Sequence, residues 1–350
     1  MARNNVQKIA EKAGVSIATV SRILNGKLGH APETIRRVQA LARELAEETS
    51  KPQKNSVPCS AIGVVVYQYP DFICNAYVSF LLDGIVSAAN ALGYSSMIIT
   101  LSENTCNPEY LRNMVAFYRL QGLIIPGNHY LYKLLNEISR YDIPMVGINA
   151  VLQNSIPEVR ADALRKGEEA ASYLLHHRHR RVGLVSISGD SDHEHFCAGF
   201  RRIFQKSAPE EKIQHWLFHD INESIFGALN SIATSAAPPT ALVFANSQLA
   251  RRFYLGLRGS NIQIPEDISI LSCEEHGELL DLGITTLAQP TQQMGKAAVK
   301  LLMKCIQSSE KVEDEVFICT FKERSSVRNL NTESFHFHYR NKFPQRTSTK

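Results

Sequence analysis

The spacing of apolar residues divides the chain into three stretches. From Asn5 to about Glu48, apolar residues recur every three or four positions, which predicts amphipathic helices. Residues 49–60 contain two prolines, two lysines and four serine or threonine residues without an apolar stripe, which is typical of a linker. From Ile62 onward, short runs of valine, isoleucine and leucine alternate with helical segments.

The long third stretch predicts an α/β core. Near-continuous apolar runs suit strands that are buried on both faces, and they occur at residues 62–67, 97–100, 122–126, 144–149, 182–187, 240–245 and 268–273. Helical candidates lie between them, at residues 77–92, 109–120, 131–141, 166–177, 224–234 and 248–257. This alternation predicts two doubly wound parallel-sheet lobes. The cleft between their strand ends is the expected ligand site.

The first stretch predicts two helices joined by a tight turn. Asn5 can cap a helix over residues 6–13, Gly14 suits a left-handed turn, and Ser16 can cap the second helix. Val20 and Ile23 of that second helix face inward. A third helix, from Pro32 to about Glu48, completes a small all-α helix-turn-helix headpiece over residues 1–50.

The outer face of the second helix favours DNA binding over an ordinary pair of helices. In a helix-turn-helix, the residues near the start of the second helix reach base edges in the major groove. The serine cap, the polar outer face and the terminal position agree with that arrangement. The expected DNA contacts are Ile17, Ala18, Thr19, Ser21, Arg22, Asn25 and Lys27.

Charge is distributed unevenly in a way that fits a nucleic-acid partner. Residues 1–54 carry ten lysines or arginines and five acidic residues. The C-terminal residues 331–350 carry four lysines or arginines and one acidic residue. The chain as a whole is +4, so residues 55–330 are mildly acidic. Positive charge is therefore concentrated where phosphates could be contacted.

Other patterns exclude several functional classes. No apolar run suits a signal peptide or a membrane span, and the seven cysteines are scattered and never spaced as C-x-x-C, which predicts a cytoplasmic protein with reduced thiols. Phosphate-loop, dinucleotide-binding and hydrolase motifs are missing, so we expect no enzyme and no cofactor. The histidine clusters at residues 176–179 and 193–195 are expected at loops or helix ends, as solvated side chains and not as metal ligands.

The order of these features resembles the lactose-repressor family of bacterial transcriptional regulators, which includes the galactose and purine repressors. The strongest match is AGVSIATVSRILN at residues 13–25, and the resemblance spans about residues 3–328. Further matches are IGVVV, RRVGLVS, FANSQLA, IPEDISIL, TTLAQPTQQMGKAAVKLL and ERSSVR. The family implies a homodimer on an operator and a core, over residues 61–328, that is like periplasmic binding proteins.

The resemblance also implies that the chain passes three times between the two lobes. Lobe one is expected at about residues 61–159 plus 289–310, and lobe two at about residues 160–288 plus 311–328. Residues 329–350 are expected to be a disordered basic tail. The family linker carries Pro-Asn-x-x-Ala-Arg-x-Leu, whose leucine wedges into the minor groove. Here residues 51–60 retain Pro52 only, and Pro58 would interrupt a hinge helix.

The effector pocket departs from the sugar-binding members of the family. Those members place an arginine three residues before a glycine and an aromatic residue, and Phe196 occupies that position here. Glu274 and Glu275 bring negative charge, so a neutral or cationic small molecule is expected, or no effector. The positions that we expect in the cleft are Asp71, Asn75, Tyr77, Asn149, Phe196, Asn246 and Glu274.

Two classes of function compete on this sequence. The first is a DNA-binding regulator, typically a repressor, whose affinity responds to a small molecule; an effector-blind or protein-regulated variant belongs to the same class. The second is a small-molecule-binding core to which DNA binding is accessory. Since catalytic motifs and an export signal are missing, the sequence favours the first class.

Overall fold

The fold is described from a computed structural model. It describes residues 9–24, 31, 33–38, 40–42, 60–67, 76–127, 131, 134, 137–138, 140–150, 156–210, 213–260, 262–275, 277–307 and 311–330. The chain divides into two compact units, Met1–Cys59 and Ser60–Lys350. The linker between Pro52 and Pro58 lies outside the described residues.

The first unit contains the expected helix-turn-helix. Helix α1 is described over residues 9–13, α2 over Ile17–Leu24, and α3 over residues 33–38 and 40–42. Gly14 adopts a φ of +61°, and the Ser16 hydroxyl accepts a hydrogen bond from the Thr19 amide at 3.1 Å. The turn and the cap are therefore confirmed. A small core joins the three helices through Ile9, Ala13, Val20, Ile23 and Val38.

The second unit is built on two six-stranded sheets. The first sheet has the order β11-β5-β4-β3-β1-β2, and every neighbouring pair is parallel. Its strands are β1 (Ser60–Tyr67), β2 (Tyr94–Leu101), β3 (Leu120–Pro126), β4 (Met145–Ile148), β5 (Glu158–Ala161) and β11 (Glu315–Phe317). Buried side chains on both faces of the central strands explain their continuous apolar sequence.

The second sheet has the order β12-β10-β9-β8-β6-β7. Its strands are β6 (Val182–Ile187), β7 (Gln214–Phe218), β8 (Ala241–Phe244), β9 (Ser269–Ser272), β10 (Thr285–Ala288) and β12 (Thr320–Lys322). The edge strand β12 runs antiparallel to β10, whereas the other pairs are parallel. The doubly wound architecture is confirmed, with this one antiparallel edge.

Helices cover both faces of each sheet. In lobe one these are α4 (Ala76–Ala91), α5 (Pro108–Tyr118) and α11 (Thr291–Gln307). In lobe two they are α6 (Ala163–His176), α7 (Ser191–Ser207), α8 (Phe226–Thr234), α9 (Ser247–Gly259) and α10 (Gly277–Asp281). Alternate strand residues face different clusters: Val64 packs with α4 and α11, and Val65 packs with α5. None of the described helices is long and apolar enough to cross a bilayer.

Helices α6 and α7 pack unusually closely. A β-carbon added at Gly167 would lie 2.1 Å from the carbonyl oxygen of Phe196, and one added at Gly199 would lie 2.0 Å from that of Leu164. Only glycine permits this approach of two backbones. The packing fixes the start of α7 relative to the start of α6, which positions the side chains described below.

The three crossings are short, and the third corrects the expected lobe boundaries. The chain passes between lobes at residues 161–163, 288–291 and 317–320. Residues 311–328 were expected wholly in lobe two, yet β11 pairs with β5 in the first sheet. Residues 160–161 likewise complete β5. The place of β11 in the first sheet depends on backbone pairing with a strand that is distant in sequence, and no local pattern indicates that pairing.

Candidate functional site

The outer face of α2 is exposed as the sequence predicts. Ile17 is 51% exposed, Ala18 and Arg22 are also exposed, and Val20 is fully buried beneath them. Thr19 is half-buried, and its hydroxyl lies 2.9 Å from that of Ser16. Apolar packing on the inner side thus fixes which residues can face a partner. The side chain of Ser21 and the residues Asn25 and Lys27 lie outside the described residues.

A second candidate site lies at the carboxyl edge of the second sheet. Strands β6, β8 and β9 are consecutive neighbours in that sheet, and the loops after them carry Asp190, Asn246 and Glu274. Because the carboxyl ends of parallel strands meet at one edge, these three loops lie side by side. The sheet topology therefore brings together residues that are separated by as many as 84 positions in the sequence.

The helix starts at this edge are capped by the same loops. Asp190 Oδ1 accepts hydrogen bonds from the amides of Asp192 and His193, at 3.0 and 3.2 Å. Asn246 Oδ1 accepts from the first amides of α9, and Glu274 Oε2 accepts from the Ser247 amide at 3.0 Å. The expected cleft residues Asn246 and Glu274 thus already stabilise the start of a helix.

A buried ion pair that was not predicted from the sequence lies beside these caps. Lys166 Nζ is 2.8 Å from Asp192 Oδ2, and the lysine side chain is fully buried. Burial, the largest single effect, lowers the pKa of the Lys166 ammonium, but the charges of Asp192, Cys319 and Glu274 and the hydrogen bond to Asp192 together raise that pKa overall. Burial likewise raises the pKa of the Asp192 carboxyl, but Lys166 outweighs it, so that pKa is lowered. Both groups are therefore charged at neutral pH.

One signal in the sequence could have found Lys166. It lies four and eight residues before Ala170 and Leu174, on the apolar face of α6 that is buried against α7. A lysine at a core position of an amphipathic helix requires a partner, because an unpaired buried charge is very costly. The identity of the partner, Asp192, depends on how the two helices pack, which the sequence does not show.

Phe196 does not line the cleft as expected, which is a correction. Its side chain is fully buried, its ring centroid lies 6.3 Å from that of Phe200, and Lys166 Nζ lies 5.9 Å from its centroid. The ring therefore packs beneath the ion pair and is not exposed to a ligand. The Lys166 ammonium lies near this position, but it belongs to α6 and is already paired with Asp192.

Asn149 connects lobe one to two of the crossings. Its Nδ2 donates to the Tyr77 hydroxyl at 3.3 Å and to Gln289 Oε1 at 3.2 Å, and its Oδ1 accepts from the Ala161 amide at 2.8 Å. Its φ of +49° is left-handed, a conformation that asparagine adopts more readily than most residues. The side chain of Asn149 therefore links lobe one to the first and second crossings.

Tyr77 faces lobe two from the start of α4. Burial raises the pKa of its hydroxyl, and the charges of Asp192, Glu274 and Asp190 raise it further. Those three carboxylates all belong to lobe two, so Tyr77 faces them across the cleft. Asp71 and Asn75, which were also expected in the cleft, lie outside the described residues.

The expected negative charge of Glu275 is neutralised, which is a second correction. Its carboxylate pairs with Lys322 and with Arg324, the latter at 2.8 Å. Burial alone would raise the pKa of the Glu275 carboxyl, but hydrogen bonds from Lys322, Thr286 and Arg324 lower it. Glu275 therefore links β12 and the segment after it to β10, and its charge is balanced by these partners.

The two histidine clusters lie at helix ends as expected, but two of their members are buried, not solvated. His193 in the first turn of α7 is 4% exposed, and His179 after α6 is fully buried. His179 Nδ1 lies 2.9 Å from the Thr240 hydroxyl, and its Nε2 lies 3.0 Å from the Arg328 carbonyl. No group of three potential ligands that could hold a metal ion is found among the described residues.

Comparisons with known proteins agree with this architecture. Residues 5–46 match the model of bacterial regulatory proteins of the lacI family, and residues 171–327 match a periplasmic binding protein-like domain. The chain is 27% identical over 331 residues to catabolite control protein A of Streptococcus mutans, covering 89% of this chain and 94% of that protein. It is 25% identical over 308 residues to the transcriptional repressor CytR of Escherichia coli, covering 86% and 89%.

A solved structure shows the same fold. The chain aligns with the lac repressor dimer bound to operator and the anti-inducer ONPF with a TM-score of 0.66 and 18% identity, covering 91% of this chain and 98% of that one. A DNA-reading headpiece joined to a two-lobed ligand-binding core defines a class of transcriptional regulator. This chain is similar to the lacI family of bacterial regulatory proteins over its headpiece and to periplasmic binding protein-like domains over its core.

Proposed function

We propose that this chain represses transcription as a homodimer on a two-fold symmetric operator. The observation that carries the proposal is the exposed outer face of α2 above a buried inner face. In the proposed complex, base edges and phosphates are contacted by Ile17, Ala18, Thr19, Ser21, Arg22, Asn25 and Lys27. The CytR relative is named as a repressor, which supports this direction of regulation. We propose that the protein acts in the cytoplasm, where bacterial DNA is located.

Two-fold symmetry follows from the reach of a single recognition helix. One such helix reads only a few base pairs, so two headpieces are needed for useful specificity. The related lac repressor structure is a dimer bound to operator, which supports the same assembly here. The exposed apolar side chains of the core offer a surface for a second copy of the chain: Phe80 and Ile98 on lobe one, and Leu255 and Leu280 on lobe two.

The cleft between the lobes is proposed to control the affinity for DNA. Tyr77 of lobe one faces the caps of lobe two, and Asn149 donates hydrogen bonds to the Tyr77 hydroxyl and to the crossing residue Gln289. A ligand that contacts both lobes changes the relative stability of their arrangements, and it shifts DNA affinity only by its differential affinity for those arrangements. Asp71 and Asn75 are proposed to complete this cleft.

Selection from random double-stranded DNA with the full chain, followed by footprinting, tests the proposal. We expect a two-fold symmetric consensus, protected on both half-sites, and a complex whose mass matches a dimer on one duplex. A single asymmetric half-site bound by one chain would refute the dimer. Binding without any sequence preference would refute the regulator.

A further inference from the structure

Three carboxylates at the carboxyl edge of the second sheet use only one oxygen each in the fold. Asp190 Oδ1 caps α7, Asp192 Oδ2 bonds to Lys166, and Glu274 Oε2 accepts from Ser247. The second oxygen of each carboxylate makes no hydrogen bond to any residue that the structure describes. Helix capping and ion pairing therefore explain only part of the acceptor capacity of this edge.

A buried histidine adds a fourth acceptor to the same edge. The His193 side chain is 5% exposed, and its Nδ1, which has no hydrogen-bond partner, lies 4.0 Å from Asp190 Oδ2. That distance is too long for a hydrogen bond, and a buried polar atom without a partner is costly. With the imidazole proton on Nε2, Nδ1 is an acceptor. One donor atom placed between these two acceptors can bond to both, at about 2.8–2.9 Å each.

The charge balance of the edge is negative. Lys166 pairs with Asp192, whereas Asp190 and Glu274 have no lysine or arginine partner among the described residues. Tyr77 of lobe one faces these carboxylates across the cleft, and their charges raise the pKa of its hydroxyl after the larger effect of burial. The edge therefore disfavours an anionic ligand by like-charge repulsion.

We propose that the cleft binds a small organic molecule carrying a protonated primary amine, which Asp190 and His193 hold at the start of α7. The number of donors separates an amine from an alcohol. An ammonium has three N–H donors and a positive charge, whereas a hydroxyl has one donor and no charge. A hydroxyl can therefore serve only one of the two acceptors that lie 4.0 Å apart. This inference rests on the proposed function, since it names the ligand class of the cleft that controls DNA affinity.

Calorimetry on the full chain with matched pairs of compounds tests this ligand class. The pairs are putrescine against 1,4-butanediol and glucosamine against glucose, with glucose 6-phosphate as an anionic probe. At neutral pH, where both amines are mostly protonated, we expect saturable binding of at least one amine and at least about tenfold weaker affinity for its neutral partner. Glucose 6-phosphate is expected to bind more weakly than glucose.

A matched pair of variants locates the amine. Asp190→Asn retains an oxygen that can cap α7 but removes the charge, and it should weaken amine binding by about tenfold or more. The control is Asp220→Asn, because Asp220 is an exposed aspartate of lobe two that also accepts a local backbone hydrogen bond, from Asn222. It should leave amine affinity unchanged. The thermal unfolding of both variants shows whether they remain folded.

Several results would overturn this inference. One is equal affinity for an amine and its neutral partner, and another is tighter binding of glucose 6-phosphate than of glucose. The others are amine binding that Asp190→Asn leaves unchanged and the lack of binding of either amine at millimolar concentration. Operator binding, measured on the same preparations, separates the two proposals. If operator binding persists while amine binding fails, only the ligand class is wrong. Loss of operator specificity in the unmodified chain refutes the proposed function itself.

Discussion

Arg22 is the cationic side chain among the described residues of the α2 outer face. It is exposed, and the packing of Val20 and Ile23 behind it fixes the face on which it lies. Arg22→Ala should cost about 1–3 kcal/mol of binding free energy on the best operator if the guanidinium reads a guanine. Fluorescence anisotropy on the selected operator and on a scrambled duplex measures the loss on each.

The control for Arg22 is Arg140→Ala, which removes an exposed arginine of the core. That variant should bind the operator as the unmodified chain does. An equal loss on both duplexes, together with a shallower dependence of affinity on salt, would mean that Arg22 contacts only phosphate.

Lys166 is the residue whose removal should damage the core most directly. Lys166→Met leaves Asp192 buried without its partner, and breaking a buried pair in this way costs about 3–5 kcal/mol. The double variant Lys166→Met with Asp192→Leu replaces both charges by apolar groups and should recover most of that loss. Urea unfolding of the three proteins measures the difference, and a double variant as unstable as the single one would contradict this account.

Residue roles could be predicted from the sequence where the cause is local. The cap by Ser16 and the left-handed Gly14 depend on neighbours within a few positions, and both are confirmed. Phe196 was expected in the cleft, but its position depends on the packing of α6 against α7, and its side chain is fully buried. Asn149 was expected in the cleft, but its hydrogen bonds reach residues as far as 140 positions away. Its contacts with the crossings therefore could not be predicted from the local sequence.

At the scale of elements, the contact between α6 and α7 depends on glycine. Gly167→Ala would place a β-carbon 2.1 Å from the Phe196 carbonyl oxygen, so the helices must separate, at a cost of about 1–3 kcal/mol. The same substitution at Gly227, which has nothing within 4 Å, is the control and should be neutral or slightly stabilising. Chemical unfolding of both variants provides the measurement. Equal stability of the two would refute the close packing.

The linker should bend DNA less than is usual for the family. It retains Pro52 but lacks the Ala-Arg-x-Leu sequence, and Pro58 would interrupt a hinge helix. Without an intercalating leucine, nothing offsets the cost of unstacking a base step. Phased gel-mobility measurements on the operator should therefore show little bending. A sharp kink at the operator centre that Pro52 and Pro58 variants abolish would contradict this expectation.

The strands illustrate which elements a pattern can predict. Runs buried on both faces, such as β1, β6 and β8, are apolar throughout and were correctly predicted. Strands β5, β7, β10, β11 and β12 were not, because they are short or lie at or near sheet edges and carry charged, polar or exposed residues. The pairing partner, and not the local sequence, makes such segments into strands.

At the scale of the whole molecule, buried His179 links stability to pH. Burial lowers the pKa of His179 from 6.5 to about 4, with smaller contributions from His177 and Arg328. The unfolded chain therefore binds more protons than the folded chain between these two values, so stability is complete above pH 6.5 and falls as the pH drops toward 4. The shift corresponds to at most about 3 kcal/mol.

Urea unfolding at a series of pH values between these limits tests the linkage. His179→Gln should be less stable at neutral pH, because it loses the contacts with Thr240 and Arg328, but its stability should decline less steeply on acidification. His195→Gln, at an exposed position of α7, is the control and should retain the original pH dependence. A decline in the His179 variant as steep as in the unmodified chain would assign the acid sensitivity to other groups.

The amino-acid pattern alone predicted the helix-turn-helix, the alternation of strands and helices, and the presence of two lobes. These features arise from apolar periodicity and turn residues, whose physical causes act over a few positions. The tertiary structure decided that β11 joins the first sheet, that Lys166 pairs with Asp192, that Phe196 is buried and that Glu275 is neutralised. Each of those outcomes depends on two segments meeting across the fold. The free energy of a buried charge or ring depends on the groups packed around it. The local amino-acid sequence does not show which groups those are.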